Sequence, residues 1–294
     1  MSEEAKEGYL YRFRIGQFDC ISVSDGTYDY TPSTLFKDLS EDEVIQYLKD
    51  YPLVSGKVRS PYTFLFVDTG EHKVLADMGA GKLGPDTGNL TSNLKAAGIE
   101  PGEIDTIIIT HAHPDHVGGT LDDFGDPKYP NANYFIMKEE WEFWFSDEAY
   151  QKVAEHYSAI LQPEVFMKVA RGQLGPVKDR MKLLTGNSEI VPGVHVHAAP
   201  GHTPGHMAVS FSSLGEELFF IGDAIVFPFM IEHPEVVPVF DIIPDMADQT
   251  RRKLCNQLTE KDAWVLAQHF PPFPSLGHIQ KSGKVWKWKP LKKD

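Results

Sequence analysis

The stretch IIITHAHPDHVGG, from Ile107 to Gly119, constrains this chain more than any other. A short β-branched apolar run reads as a buried strand, and here it stops abruptly at His111, His113, Asp115 and His116. Polar side chains crowded where an apolar strand ends mark a site rather than a packing element. The four stand at positions i, i+2, i+4 and i+5. On a strand the first three would share a face, and in a tight loop entering a helix all four can converge. Neutral imidazoles with a carboxylate are the donor set of zinc and neighbouring transition ions, so the motif predicts a metal site.

One loop cannot complete two coordination spheres. Further ligands must come from other polar groups that end apolar strands, and His202, Asp223 and His269 do so, after HVHAAPG, ELFFIG and WVLAQ. Five histidines and two aspartates then fit two metals sharing one carboxylate. Of the 12 histidines, His72, His156, His195, His197, His206, His233 and His278 lack this context and read as ordinary residues, with His206 and His278 nearest to being exceptions.

Around this stretch the chain alternates strands and helices. Tyr9–Ile15 and Phe18–Ser24 flank Gly16-Gln17 as a hairpin. Ser40 and Glu43 form a capping box for a helix that stops near Pro52. Pro61 opens a strand, Tyr62–Val67, that turns at Asp68-Thr69-Gly70 into His72–Ala76. The glycine-dense segment Asp77–Gly88 is a loop long enough to act as a lid. A short helix, Asn89–Ala97, precedes the strand Ile104–Thr110. Asn133–Met137 is a strand, and the run from Lys138 to Leu161 is helical in composition, with a break near Ser146-Asp147. Its aromatics, Trp141, Phe143, Trp144, Phe145, Tyr150 and Tyr157, exceed what one buried stripe needs, so pocket lining and core packing stand level. From Lys182 onward strands return: Ile190-Val191, Val194–Ala198, His206–Phe211, Glu217–Ile221 and Ala263–Ala267. The proline-rich loop Phe227–Pro244 and a helix, Asp245–Leu258, separate the last two. The basic tail Lys281–Lys292 alternates as a two-faced strand. This order predicts two similar halves.

The formal net charge of −14, from 28 basic and 42 acidic residues, disfavours a nucleic-acid partner, which needs clustered cations. No run is long enough to span a bilayer and the N-terminal residues carry no signal-peptide pattern, so a cytoplasmic protein without membrane contact is expected. Cys20 and Cys255 lie in unlike contexts and are expected in the core.

HAHPDH, then GHTPGH about ninety residues on, then Gly222-Asp223 and a late His269, resembles in order and spacing the metallo-β-lactamase superfamily, from about Tyr62 to His278. The resemblance implies one α/β domain over residues 1–294, an αββα sandwich with the metal site at one edge of its two sheets, and an N-terminal extension of about residues 1–35. It also implies that His111, His113 and His202 hold one metal and Asp115, His116 and His269 the other, with Asp223 bridging. Asp77 matches a position that orients a ligand histidine. His113 stands where the flavodiiron branch looks to have Glu, and Asp223 where many β-lactamases use Cys or no ligand. No glutathione-binding helical extension like that of glyoxalase II follows His269. GAGKLGPDTGNL, Phe143-Trp144, GNSEIVPG and HFPPFPSLGHI look most like the methyl parathion hydrolase group. Acyl-homoserine lactonases are similar too, but often carry a tyrosine shortly after the bridging Asp, where this chain has Ala224, Ile225, Val226 and Phe227.

The function implied is hydrolysis of a small neutral ester, phosphotriester or lactone by a hydroxide bridging two divalent metals. Zinc is the first candidate, and manganese, cobalt or iron can occupy the same donors. Asp115 and Asp223 are the expected catalytic carboxylates; Asp223 holds the bridge and can accept a proton. Leu83, Trp144, Phe227 and Phe229 are expected to line the substrate pocket. Acyl-homoserine lactone hydrolysis is the alternative, and a one-iron persulfide dioxygenase is the alternative from another class. The aromatic N-terminal region offers a surface for a homodimer.

Overall fold

The structure, a computed structural model, describes residues 8–36, 38–146, 151, 163–283 and 285–292. The first sheet contains β1 (Leu10–Ile15), β2 (Phe18–Tyr30), β3 (Leu53–Val54), β4 (Lys57–Asp68), β5 (Lys73–Ala76), β6 (Thr106–Ile108), β7 (Asn133–Met137) and β8 (Met181–Leu184). Its order is β1-β2-β4-β5-β6-β7-β8, with β3 also paired to β4. The second sheet contains β9 (Ser188–Val191), β10 (Val194–Ala198), β11 (Met207–Ser213), β12 (Glu216–Phe220), β13 (Trp264–Leu266), β14 (Leu276–Ser282) and β15 (Val285–Pro290), in the reverse of chain order. Among the described residues the α-helices are α1 (Glu41–Tyr47), α2 (Leu90–Ala96), α3 (Pro114–Val117), α4 (Lys138–Phe145), α5 (Pro163–Leu174) and α6 (Pro244–Lys261).

Side-chain alternation explains the layering. On β12, Leu218 and Phe220 join a core cluster that also holds Val194, Val209 and Phe211 of the second sheet and Phe64 and Phe66 of the first. Phe219 and Ile221 point the other way, into a cluster with Leu254, Cys255 and Leu258 of α6. Successive residues of a strand face opposite sides, so a strand apolar at every position must be covered twice. Residues 62–67 of β4 are likewise buried without interruption. The product is an αββα sandwich, as the resemblance implies.

Several elements differ in extent from their sequence reading. β2 continues to Tyr30, and Pro61 lies inside β4 rather than at its start. The β2–β4 register shifts between Ser24 and Gly26, opposite Thr63 and Tyr62, and a proline is tolerated beside such a bulge because the ladder is already interrupted. β1 and all of β2 lie in the first sheet, within residues 1–35. Ser40 and Glu43 form the expected capping box. The helix from Lys138 ends at Phe145, and Tyr150, His156 and Tyr157 lie outside the described residues. α5 is an element absent from the sequence reading; Met167, Ala170 and Leu174 put its buried stripe on the main core. Both cysteines are buried. Among the described residues no helix is long and apolar enough to cross a membrane.

The glycine-rich segment after β5 is tied down at its ends. Asp25, at the β2 bulge and 1 % exposed, accepts hydrogen bonds from the backbone N–H groups of Ala80 (2.9 Å), Gly88 (3.2 Å) and Leu90 (2.7 Å). One buried carboxylate thus anchors both ends of the loop to the first sheet. Asp25→Ala strands three donors, and a loss of about 3 kcal/mol of unfolding free energy is expected in a denaturant titration.

Candidate metal centre

The site forms where strands of both sheets end. Asp77 follows β5, His111 and His113 follow β6, and Asp115 and His116 lie in α3. His202 sits between β10 and β11, Asp223 follows β12, and His269 follows β13. All seven expected ligands are at least nine-tenths buried. His111, His113 and His202 bring one ligand atom each within 4.8 Å of one another, and Asp115, His116, Asp223 and His269 form a second such group. Asp223 lies between the groups: its Oδ2 is 3.4 Å from His202 Nε2 and 3.3 Å from His269 Nε2, and its Oδ1 is 3.4 Å from His116 Nε2. His113 presents Nδ1, 3.0 Å from His202 Nε2.

The donor set fits a pair of ions. Among the described residues His111 Nε2, His116 Nε2 and Asp223 Oδ1 are buried with no hydrogen-bond partner, a condition costing about 1–3 kcal/mol per group unless something else meets it. A divalent cation meets it, since imidazole nitrogen and carboxylate oxygen are its ordinary ligands.

The ring nitrogens turned away from the centre are held. Asp77 Oδ2 accepts from His116 Nδ1 (2.7 Å) and from Thr110 Oγ1 (2.7 Å), while its Oδ1 accepts from the Thr110 N–H (2.7 Å). His202 Nδ1 is 3.0 Å from Asp241 Oδ1, and Asp241 is paired on its other oxygen with buried Arg251. His269 Nδ1 lies 3.4 Å from Ser60 Oγ. Such outer contacts fix which nitrogen faces the metal.

Burial holds His111 and His113 well below the ordinary imidazole range, reinforced by the neighbouring rings. Burial pulls His116 and His269 the same way, but Asp223 and other carboxylates outweigh it, leaving His116 well above that range and His269 at about 9. His206 lies beside the centre, as anticipated. Burial keeps its ring neutral, and its Nε2 accepts the Asp223 N–H at 3.0 Å. His278 instead faces Trp264 and Asp262, away from the centre.

Glu140, Asp241 and Arg251 have no counterpart in the sequence reading. Glu140, fully buried in α4, accepts from the N–H groups of Ala112 (2.9 Å) and Gly205 (3.0 Å), from Thr203 Oγ1 (2.6 Å) and from Trp144 Nε1 (2.6 Å). It clamps HAHPDH to GHTPGH. Gly205 is required there, because a Cβ would lie 2.1 Å from the Glu140 backbone nitrogen. The available signal was one of three glutamates among the aromatics of KEEWEFWF, which reads as solvated until its burial is known.

A cavity of about 420 Å³ opens over the centre, with His113, Asp115, Asp223 and His269 on its floor. Leu83 and Phe227 are on its wall. Two other expected wall residues are not. Trp144 is fully buried against His113, its indole committed to Glu140, and Phe229 stacks on Tyr47 beside a neighbouring cleft. Val165 of α5, Val226 and Phe240 line the wall instead.

Two outcomes follow. Glu140→Gln puts an amide N–H₂ among donors, and a 10- to 100-fold weaker metal affinity is expected in chelator competition, about the usual cost of losing outer-layer support. In the metal-free protein His116 and His269 carry protons at pH 7, and metal binding requires both neutral. Binding to the second group therefore releases protons, and its affinity rises with pH up to about 9. Calorimetry in buffers of different ionisation enthalpy reads the proton count; zero release contradicts the assignment.

The family profile described as Metallo-beta-lactamase superfamily matches residues 58–269. An N-acyl homoserine lactonase of Bacillus sp is 29% identical over 116 residues, 40% of this chain and 36% of that protein. An N-acyl homoserine lactonase of Bacillus thuringiensis is 28% identical over the same length. The chain thus spans little more than a third of the length of the curated relatives it matches. Similar solved structures cover nearly all of it. Hydrolase AbOPH of the beta lactamase superfamily superposes with a TM-score of 0.87 at 29% identity, over 99% of this chain and 100% of that one. AidC, a dizinc quorum-quenching lactonase in complex with a product, superposes with a TM-score of 0.86 at 25% identity, over 97% and 98%. With a profile match across most of its length and two adjacent ligand groups where strands of both sheets end, this chain belongs to the metallo-β-lactamase superfamily.

Proposed function

We propose that this chain is a dinuclear metal-dependent hydrolase of small neutral lactones, with N-acyl homoserine lactones as the substrate class. The observation carrying this reading is the pair of adjacent ligand groups, with Asp223 between them, beneath a cavity walled by Leu83, Val165, Val226, Phe227 and Phe240. Apolar walls over a few convergent polar groups suit an acyl chain attached to a reactive ring. The similarity to AidC and to the Bacillus lactonases supports lactones ahead of phosphotriesters. A second group of four donors speaks for two ions rather than the single iron of a dioxygenase.

In this reading His111, His113 and His202 hold one ion, Asp115, His116 and His269 the other, and Asp223 serves both. Zinc is the first candidate, since five imidazoles and two carboxylates are its usual donors. When bound, the ions supply Lewis acidity and a water of near-neutral pKa. The chain's own groups do the rest. Lactone opening adds water across the acyl C–O bond, so one proton must travel from the water to the ring oxygen. Asp115 and Asp223, both on the cavity floor, are the carboxylates placed to take that proton. Gln268 Nε2 donates to Asp115 Oδ2 at 3.2 Å and orients that carboxylate.

The test is turnover of N-acyl homoserine lactones of graded chain length, read as acid release, beside an aryl ester and a phosphotriester. A kcat/KM of about 10⁴ M⁻¹ s⁻¹ or more on a lactone is expected. Phosphotriester turnover with inert lactones sinks the lactone assignment. Asp223→Ala should bind fewer than two ions per chain by elemental analysis and lose turnover; an active variant contradicts the bridging role.

A further inference from the structure

An oxygen that gains charge during hydrolysis is stabilised further by a neutral hydrogen-bond donor on the cavity wall. The wall offers phenols. Tyr28, Tyr30 and Tyr62 line it together, with Tyr28 parallel to Tyr62 at 6.2 Å and tilted against Tyr30 at 4.9 Å. Tyr62 packs edge-on against His269 at 5.0 Å, which places the group beside the second set of metal donors.

The hydroxyls of Tyr30 and Tyr62 lie 2.6 Å apart. One phenol donates to the other, leaving one proton over. Tyr62 is fully buried and its hydroxyl has no other hydrogen bond among the described residues, whereas Tyr30 is only half-buried and faces the cavity. Were Tyr30 the donor, the Tyr62 proton would be stranded in the core, at about 1–3 kcal/mol. With Tyr62 donating, every buried proton is placed and the Tyr30 proton remains for the cavity. A phenol ordinarily keeps its proton across the neutral range.

We propose that Tyr30 is a catalytic residue that donates a hydrogen bond to the substrate's carbonyl oxygen as negative charge develops on it, its proton directed into the cavity by Tyr62. Tyr30 keeps its proton throughout and Tyr62 is a positioning residue. The inference rests on the hydrolase reading above.

Tyr30→Phe and Tyr62→Phe, loaded with metal and compared with wild type on the best lactone, test it. Wild-type turnover tests the hydrolase reading; the ratio of variant to wild type tests Tyr30. Tyr30→Phe keeps the ring, so two ions per chain and an unchanged circular dichroism spectrum are expected, with kcat lower by about 100-fold and KM within about threefold. Tyr62→Phe leaves the Tyr30 phenol in place and should lower kcat by less than about 10-fold. Unchanged kcat in Tyr30→Phe, a loss confined to KM, or a larger loss in Tyr62→Phe than in Tyr30→Phe overturns the assignment. A wild type inert toward every lactone and ester overturns the hydrolase reading and the donor role together.

Discussion

Five imidazoles and two carboxylates held almost free of water are the constraint on which the rest of this structure depends. Buried polar atoms without partners are destabilising, and His111 Nε2, His116 Nε2 and Asp223 Oδ1 are three of them in one place. The chain tolerates them only because their other contacts are saturated and because a cation can satisfy all three. Fold stability and metal affinity are therefore linked here, and the elements around the centre read as devices that keep these side chains from relaxing apart.

Those devices differ on the two sides of the site. On the first sheet, Asp77 fixes His116 and Thr110 with three short bonds from a backbone at φ 61°, a conformation that non-glycine residues adopt only when their surroundings hold it. On the second, Asp241 and Arg251 reach His202 from the long loop and α6, and the Arg251 guanidinium also donates to the carbonyls of Pro234 and Val236. Glu140 ties the halves together through the loops themselves. Each sheet alone would present part of a metal site; the buried carboxylates between them hold the parts in register.

The cavity follows from the same arrangement. Its floor is the charged centre, and its walls come from segments remote in sequence: the end of β2, the anchored glycine-rich loop, α5 and the loop after β12. A hydrophobic wall above a metal-competent floor favours a neutral substrate whose reactive carbonyl reaches down while its apolar remainder stays above. The Tyr30–Tyr62 pair lies where wall and floor meet.

By itself the sequence determined which side chains gather at the centre, because a polar cluster at the end of an apolar strand is visible in one dimension: HAHPDH, His202, Asp223 and His269 were all legible in that way, as were the capping box and most strands. The layered fold was legible only through the family resemblance that those motifs carry. What only tertiary structure decided is the company those groups keep. Glu140, Asp241 and Arg251 look like surface charges until burial reveals them as partners, and Trp144 and Phe229 look like pocket residues until packing turns one into the core and the other toward a neighbouring cleft. The physical reason is that a ligand's identity is written in its own side chain. The nitrogen it presents, the proton it carries and the wall it faces depend on residues dozens of positions away, brought near only when the two sheets close on each other.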